Sequence, residues 1–310
     1  MKIEFNNVSK NYVSSSGLSQ TALDEVSFCL QERGLTVITG ESGCGKTTLI
    51  NILGGLIRET TGDVKYDGKR TADFSDGEWD KLRNEKIGFV LQNYALIENE
   101  TVERNLRYVK DVLDMSDSVY FERKCEVLSA VGMTGCEKKR IYELSGGQKQ
   151  RISIARALLK KPEIILADEP TGNLDSENSR SIFALLKSLS ANCLVLMVSH
   201  DLRLTREFAD REIQLKDGRI CVDLVFNANE SAMFLLTTDE GKTIRCNSKE
   251  CLAEAFSCVE KENIRRHASI DFFPAITEKR SEKGEVLLFN RKKCTLRHGR
   301  CVLWKILDLD

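Results

Sequence analysis

"GLTVITGESGCGKTTLINILGGL", residues 34–56, decides the fold. A nearly apolar run, 34–40, leads into a glycine-rich loop, and a helix-like stretch begins at Lys46. The run reads as a buried strand and residues 46–56 as the helix behind it. Between them, residues 40–48 match G-x-x-x-x-G-K-[ST] in the strand–loop–helix setting that pattern needs. Its glycines let backbone N–H groups crowd round a phosphate at a helix N-terminus. Gly40, Glu41, Ser42, Gly43, Cys44, Gly45, Lys46, Thr47 and Thr48 are therefore the expected phosphate-binding residues. Lys46 is expected to neutralise the β and γ phosphates and the Thr47 hydroxyl to ligate Mg²⁺.

Further outward, "IGFVLQ" (87–92), "EIILADE" (163–169) and "CLVLMVSH" (193–200) are short apolar runs alternating with helix-like stretches as far as residue 222. Their near-continuous apolar character predicts strands covered on both faces, hence an α/β fold with a mostly parallel core sheet. In such sheets ligands sit outside the carboxyl ends of the strands. Gln92, Asp168, Glu169 and His200 should thus converge beside the glycine loop. Asp168 is placed to hold Mg²⁺ through water, and Glu169 to polarise an attacking water. His200, one of 3 histidines, stands where a γ-phosphate sensor is needed. Residues 101–140 turn helical and charged, as an inserted helical subdomain. After residue 222 the pattern changes, and residues 223–310 read as a small α+β appendage.

Composition narrows the setting. The 46 basic and 47 acidic side chains nearly cancel, which argues against a polyanion-binding surface and against nucleic acid as partner. Eleven scattered cysteines with no C-x-x-C pair fit reduced thiols in the cytoplasm better than a disulfide framework. Cys246, Cys251 and Cys258 lack the spacing and neighbouring histidines of a zinc site. "MKIEFNNVSKNY" has no signal-peptide pattern, and no apolar run nears the about 20 residues of a spanning helix.

A second glycine motif, "LSGGQKQR" (144–151), taken alone reads as a helix start with Ser145 as N-cap. With it the sequence resembles the ATP-binding cassette (ABC) ATPases over residues 1–222. The family's motifs occur in order: Walker A at 40–48, the Q-loop at Gln92, the signature "LSGGQ" at 144–148, Walker B at 164–169, the D-loop "GNLD" at 172–175 and the switch histidine His200. The resemblance implies N-terminal antiparallel strands before the core sheet. It also implies ATP and Mg²⁺ as cofactors, with Tyr12 of "VSKNY" stacking on adenine rather than filling a core. Gln92 would serve both catalysis and Mg²⁺, and Asp175 the nucleotide interface. It further implies a head-to-tail homodimer, in which Ser145, Gly146, Gly147 and Gln148 meet the γ-phosphate of ATP on the other copy. Two anion loops serving one ATP in one chain would compete for the same three phosphates, whereas loops on opposite faces make a ligand-glued interface.

"LINILGGL" and "DEPTGNLD" look like the bacterial group of lipoprotein-releasing, macrolide-export and cell-division ATPases. That likeness implies a membrane permease, in trans or on the same longer chain, docking at residues 93–106, with the cassette peripheral on the cytoplasmic face. The basic "RKKCTLRHGR" (291–300) and apolar "CVLWKIL" (301–307) are then expected beside a membrane. Two rival roles are a soluble ABC factor outside transport and a regulator of cell-wall hydrolases. Long coiled coils, zinc modules or a second cassette would favour the former, and the sequence has none of them.

Overall fold

The computed structural model describes residues 1–13 and 19–225, together with the backbone of four further strands at 233–237, 243–246, 269–273 and 292–295. The chain divides into two units, Met1–Phe226 and Asn227–Asp310.

The first unit begins with long strands β1 (Ile3–Val13) and β2 (Ser19–Leu30), joined by β4 (Thr61–Tyr66) and the short β5 (Lys69–Arg70) in an antiparallel sheet ordered β2-β1-β4-β5. Period-two burial of Val26, Phe28 and Leu30 opposite Phe5 and Ile3 gives this sheet one apolar face, and the Phe5 and Phe28 rings stack at 4.6 Å.

The second sheet carries the chemistry. Its order is β10-β9-β3-β8-β7-β6, built from β3 (Gly34–Gly40), β6 (Ile87–Leu91), β7 (Ile164–Asp168), β8 (Leu194–Val198), β9 (Arg211–Lys216) and β10 (Arg219–Val225). Every pairing is parallel except that of β9 with β10. Adjacent residues of one strand enter different cores. Val37, Ile165, Ala167, Val195 and Met197 pack on one side with α3 (Val102–Val112), α4 (Asp117–Ala130), α5 (Gly146–Leu158) and α6 (Ser176–Leu189). Ile38, Ile164, Leu166, Leu194, Leu196 and Val198 pack on the other with α1 (Lys46–Leu53) and the antiparallel sheet. This is why the strands read as continuous apolar runs.

Helix α1 stops three residues sooner than the sequence pattern indicates. Gly54 caps it, and Gly55 takes φ +64° with Trp79 of α2 (Asp76–Glu85) against its Cα. The last helix of the unit is α7 (Leu202–Phe208). Residues 223–225, expected in the appendage, continue β10: Asp223 pairs with Ile213, and its carboxylate takes two 2.8 Å bonds from the Arg211 guanidinium.

In the second unit, β11 (Met233–Thr237), β12 (Thr243–Cys246), β13 (Ser269–Phe273) and β14 (Lys292–Thr295) form an antiparallel sheet ordered β12-β11-β13-β14. Of the basic stretch 291–300, residues 292–295 are strand β14; the rest of it and residues 301–307 lie outside the described residues, as do the side chains of Cys246, Cys251 and Cys258. Among the described residues no helix is long and apolar enough to cross a membrane.

Candidate functional site

Strand register assembles the site. Leu91 pairs with Asp168, Asp168 with Val198, and Val198 with Ile38, so four strands end side by side and release the glycine loop, Gln92, Glu169 and His200 along one edge.

Two glycines of the loop are required by space as well as torsion. Gly40 (φ +146°) and Gly45 (φ +105°) each approach another strand's backbone: an added Cβ would lie 2.3 Å from the Leu215 and Ala22 carbonyl oxygens, respectively. Gly45 is also the N-cap of α1, which leaves the helix amides free of a side-chain cap and pointed at the loop's interior. Lys46 is 5 % exposed, and its Nζ donates to the carbonyls of Gly40 (3.0 Å) and Glu41 (2.7 Å). A buried ammonium is thus pinned inside the loop.

Thr47 Oγ1 donates to Asp168 Oδ1 at 3.4 Å. Burial pushes the Asp168 carboxyl above its ordinary range against the opposing Thr47 hydrogen bond, and the neighbouring Glu169 charge adds to the rise. One hydroxyl and one under-solvated carboxylate are hard oxygen donors that fit Mg²⁺, an ion that takes few protein ligands and completes its shell with phosphate and water. When bound there, Mg²⁺ would neutralise charge on the phosphates.

The raised pKa has a measurable sign. A carboxyl whose folded pKa exceeds its unfolded value favours the fold at low pH, and that contribution is lost as pH rises through the folded pKa. Ionised Asp168 therefore costs stability at neutral pH. Asp168→Asn should raise the melting temperature of the nucleotide-free protein at pH 7. The gain should shrink towards pH 4, and Mg²⁺-dependent hydrolysis should be lost. Calorimetry at the two pH values, with an activity assay, checks this.

Glu169 leaves β7 with φ +47°, a left-handed conformation that costs a non-glycine residue of order 1 kcal/mol. From this turn its side chain meets His200, whose Nε2 lies 2.5 Å from Glu169 Oε1. A carboxylate held by a half-exposed histidine at the strand edge can accept a proton from water.

Gln92 is exposed, and its Nε2 donates to Asn173 Oδ1 (3.4 Å) while Asn173 Nδ2 donates to the Gln92 carbonyl (3.4 Å). Its described contact is therefore with the 172–175 turn. Asp175 caps α6, accepting from Asn178 N (2.8 Å) and Asn178 Nδ2 (2.7 Å), and the Asn178 backbone bond foremost holds its carboxyl below the ordinary range.

Ser145 opens α5 with a capping box: its Oγ accepts from Gln148 N (3.3 Å) and its own N–H donates to Gln148 Oε1 (3.1 Å). Ser145 and Gln148 are exposed. Gly147 seats the helix on α6, since a Cβ there would lie 2.5 Å from Asn178 Oδ1, and at Gly146 one would lie 3.1 Å from the Tyr94 hydroxyl. Tyr12 is 44 % exposed, with Lys10 Nζ 5.3 Å from its ring centroid, so it belongs to the surface and not the core. Sequence reasoning passed over Tyr94 and Arg156, which grip the loop after Gln92. A lone arginine in "IARAL" carries no local signal beyond an amphipathic helix.

A parallel sheet with a phosphate-type loop, a metal-ready aspartate and a histidine-held glutamate at one edge defines a phosphate-loop nucleotide hydrolase. The ABC transporter family model matches residues 23–172. The dimeric structure of MJ0796, described as a bacterial ABC transporter cassette, is 37 % identical, with 73 % of this chain and 99 % of that one covered and a TM-score of 0.66. A post-hydrolysis MJ0796 structure bound to ADP and Pi matches at 36 % identity with the same coverage and TM-score. The structure of cbiO1 from Clostridium perfringens, part of the transporter complex cbiONQ, matches at 25 % identity, covering 85 % and 94 %, with a TM-score of 0.65. The chain belongs to the ATP-binding cassettes of the ABC transporters, and its first unit is an ABC ATPase domain.

Proposed function

We propose that this chain is the ATP-hydrolysing subunit of a bacterial ABC transporter, which closes head-to-tail with a second copy around two ATP and Mg²⁺ to drive a membrane permease. The observation that carries the reading is the pair of glycine-led helix starts. One, at Lys46, is buried inside its own loop, whereas the other, at Ser145, presents exposed Ser145 and Gln148 at the surface. A surface N-terminus of that kind is free to take a phosphate from another molecule. The dimeric state of the MJ0796 cassette supports it.

In this reading the residues of 40–48, with Tyr12, hold ATP in one copy, and Ser145, Gly146, Gly147, Gln148 and Asp175 complete the site from the other. Thr47, Asp168 and Gln92 serve Mg²⁺, Glu169 is the base, and His200 beside it is the γ-phosphate sensor. "LINILGGL" and "DEPTGNLD" support a place in the lipoprotein-release, macrolide-export and cell-division group, with the permease seated on residues 93–106 and the cassette on the cytoplasmic face. Residues 227–310 form the appendage.

The test has two arms. With ATP and Mg²⁺, the purified Glu169→Gln chain should pass from monomer to dimer in sedimentation velocity and bind one ATP per copy, while Lys46→Ala should weaken ATP binding at least tenfold, on the scale of a lost buried charge contact. A chain that stays monomeric with ATP overturns the clamp. Recovered from native membranes, it should bring an integral membrane protein in fixed ratio that changes its ATPase rate, and recovery of the cassette without one overturns the permease role.

A further inference from the structure

We propose that Arg156 is a positioning residue for ATP hydrolysis, holding the left-handed turn at Tyr94 and Ala95 so that Gln92 and the signature helix move as one piece. The proposal rests on the roles given above to Gln92 and the signature.

Tyr94 (φ +61°) and Ala95 (φ +49°) are consecutive non-glycine residues in the left-handed region. Each costs of order 1 kcal/mol, and such a pair persists only where surrounding contacts over-determine it. The contacts are present. From the last part of α5, Arg156 Nη2 donates to the Tyr94 carbonyl at 3.2 Å and Nη1 donates to the Ala95 carbonyl. The Ala95 N–H closes a tight turn on the Asn93 carbonyl at 2.6 Å, and the Tyr94 N–H bonds Leu91 O at 3.1 Å. A planar guanidinium with two parallel donors suits two successive carbonyls, and an ammonium does not.

The turn is gripped at a second point. The Tyr94 hydroxyl reaches the start of α5, where a Cβ on Gly146 would lie only 3.1 Å from it. One helix thus touches the turn near both its ends. On the far side, Gln92 is tied to Asn173, and Gly172 approaches Gln92 so closely that a Cβ there would lie 2.7 Å from Nε2. The contacts run without a gap from the signature glycines through Tyr94, Ala95 and Gln92 to the D-loop. Arg156 works in a confined place: burial lowers its pKa below the usual range, and Lys160, one turn on, is pushed down to about 8 by burial and by the Arg156 charge. A guanidinium placed there is doing more than covering surface.

The experiment compares Arg156→Lys, Arg156→Gln, Ala95→Gly, the double variant of Arg156→Lys with Ala95→Gly, and Gln92→Ala in the full chain. Each is measured for kcat, KM, monomer ATP affinity and melting temperature. Arg156→Lys should lower kcat about tenfold, within the range expected for a displaced catalytic group, with monomer ATP affinity unchanged. Glycine adopts the left-handed turn without strain, so Ala95→Gly should restore at least threefold of the activity lost in Arg156→Lys. Wild-type kcat in both arginine variants overturns the proposal, as does a fall in melting temperature and ATP affinity with no rescue by Ala95→Gly. Gln92→Ala separates the two levels. If it keeps full activity, the role given to Gln92 fails and takes this proposal with it. If it is slow while Arg156→Lys is normal, only the proposal about Arg156 fails.

Discussion

Glu169→Gln should bind ATP at least as well as the parent chain while turning it over about 10²–10⁴-fold more slowly, the usual size of a lost general base. Glutamine keeps the shape and a hydrogen bond to His200 Nε2, but it cannot take a proton from water. Removing the Glu169 charge also relieves Asp168, whose pKa that charge helps to raise, so Asp168 should ionise more readily and the variant should hold Mg²⁺ and nucleotide more firmly. With hydrolysis blocked, an ATP-bound dimer should accumulate and show in light scattering. Normal turnover in this variant would remove Glu169 as the base.

Ser145→Arg should separate the two glycine motifs. The residue is exposed, and its hydroxyl accepts the capping-box bond from Gln148 N. Losing the cap should cost about 1 kcal/mol, which a modest fall in melting temperature would show. ATP affinity of the monomer should be unchanged, because Lys46 and its loop are untouched. Dimerisation and turnover should fall to background, since a bulky cation would stand where a second copy's ATP has to enter. Ser145→Ala, which loses the cap without adding bulk, should keep part of the activity. Loss of monomer binding in Ser145→Arg would instead assign the motif to its own subunit's nucleotide.

The parts legible in the sequence are those where neighbours in the chain are neighbours in space. The strand, loop and α1 of residues 34–56 lie together, and the apolar runs of β6, β7 and β8 declare strands covered on both sides. The antiparallel sheet is harder to read, because β1 and β2 are long and their alternation is interrupted at bulges, with Asn7 at φ +48° and Glu25 at φ +50°. Only the family resemblance pointed to it. Contacts across the chain were silent: Gln92 meets Asn173 81 residues away, and Arg156 meets Tyr94 62 residues away. A left-handed turn at tyrosine and alanine carries no compositional mark of the kind that glycine gives at 45. The sequence pattern changes near residue 222, yet β10 continues to Val225 because its pairing with β9, and not its hydropathy, sets where it ends.

The sorting of β7 into two cores fixes more than packing. Ile165 and Ala167 face one core, Ile164 and Leu166 the other, and Asp168 follows at the edge. Removing or adding one residue anywhere in this strand would exchange the two cores and turn Asp168 to the wrong side together, while a change of two residues would keep both in phase. Folding and chemistry thus obey one parity rule along β7: the residue order that sends alternate side chains into the two cores also decides which face of the sheet the Asp168 carboxylate joins.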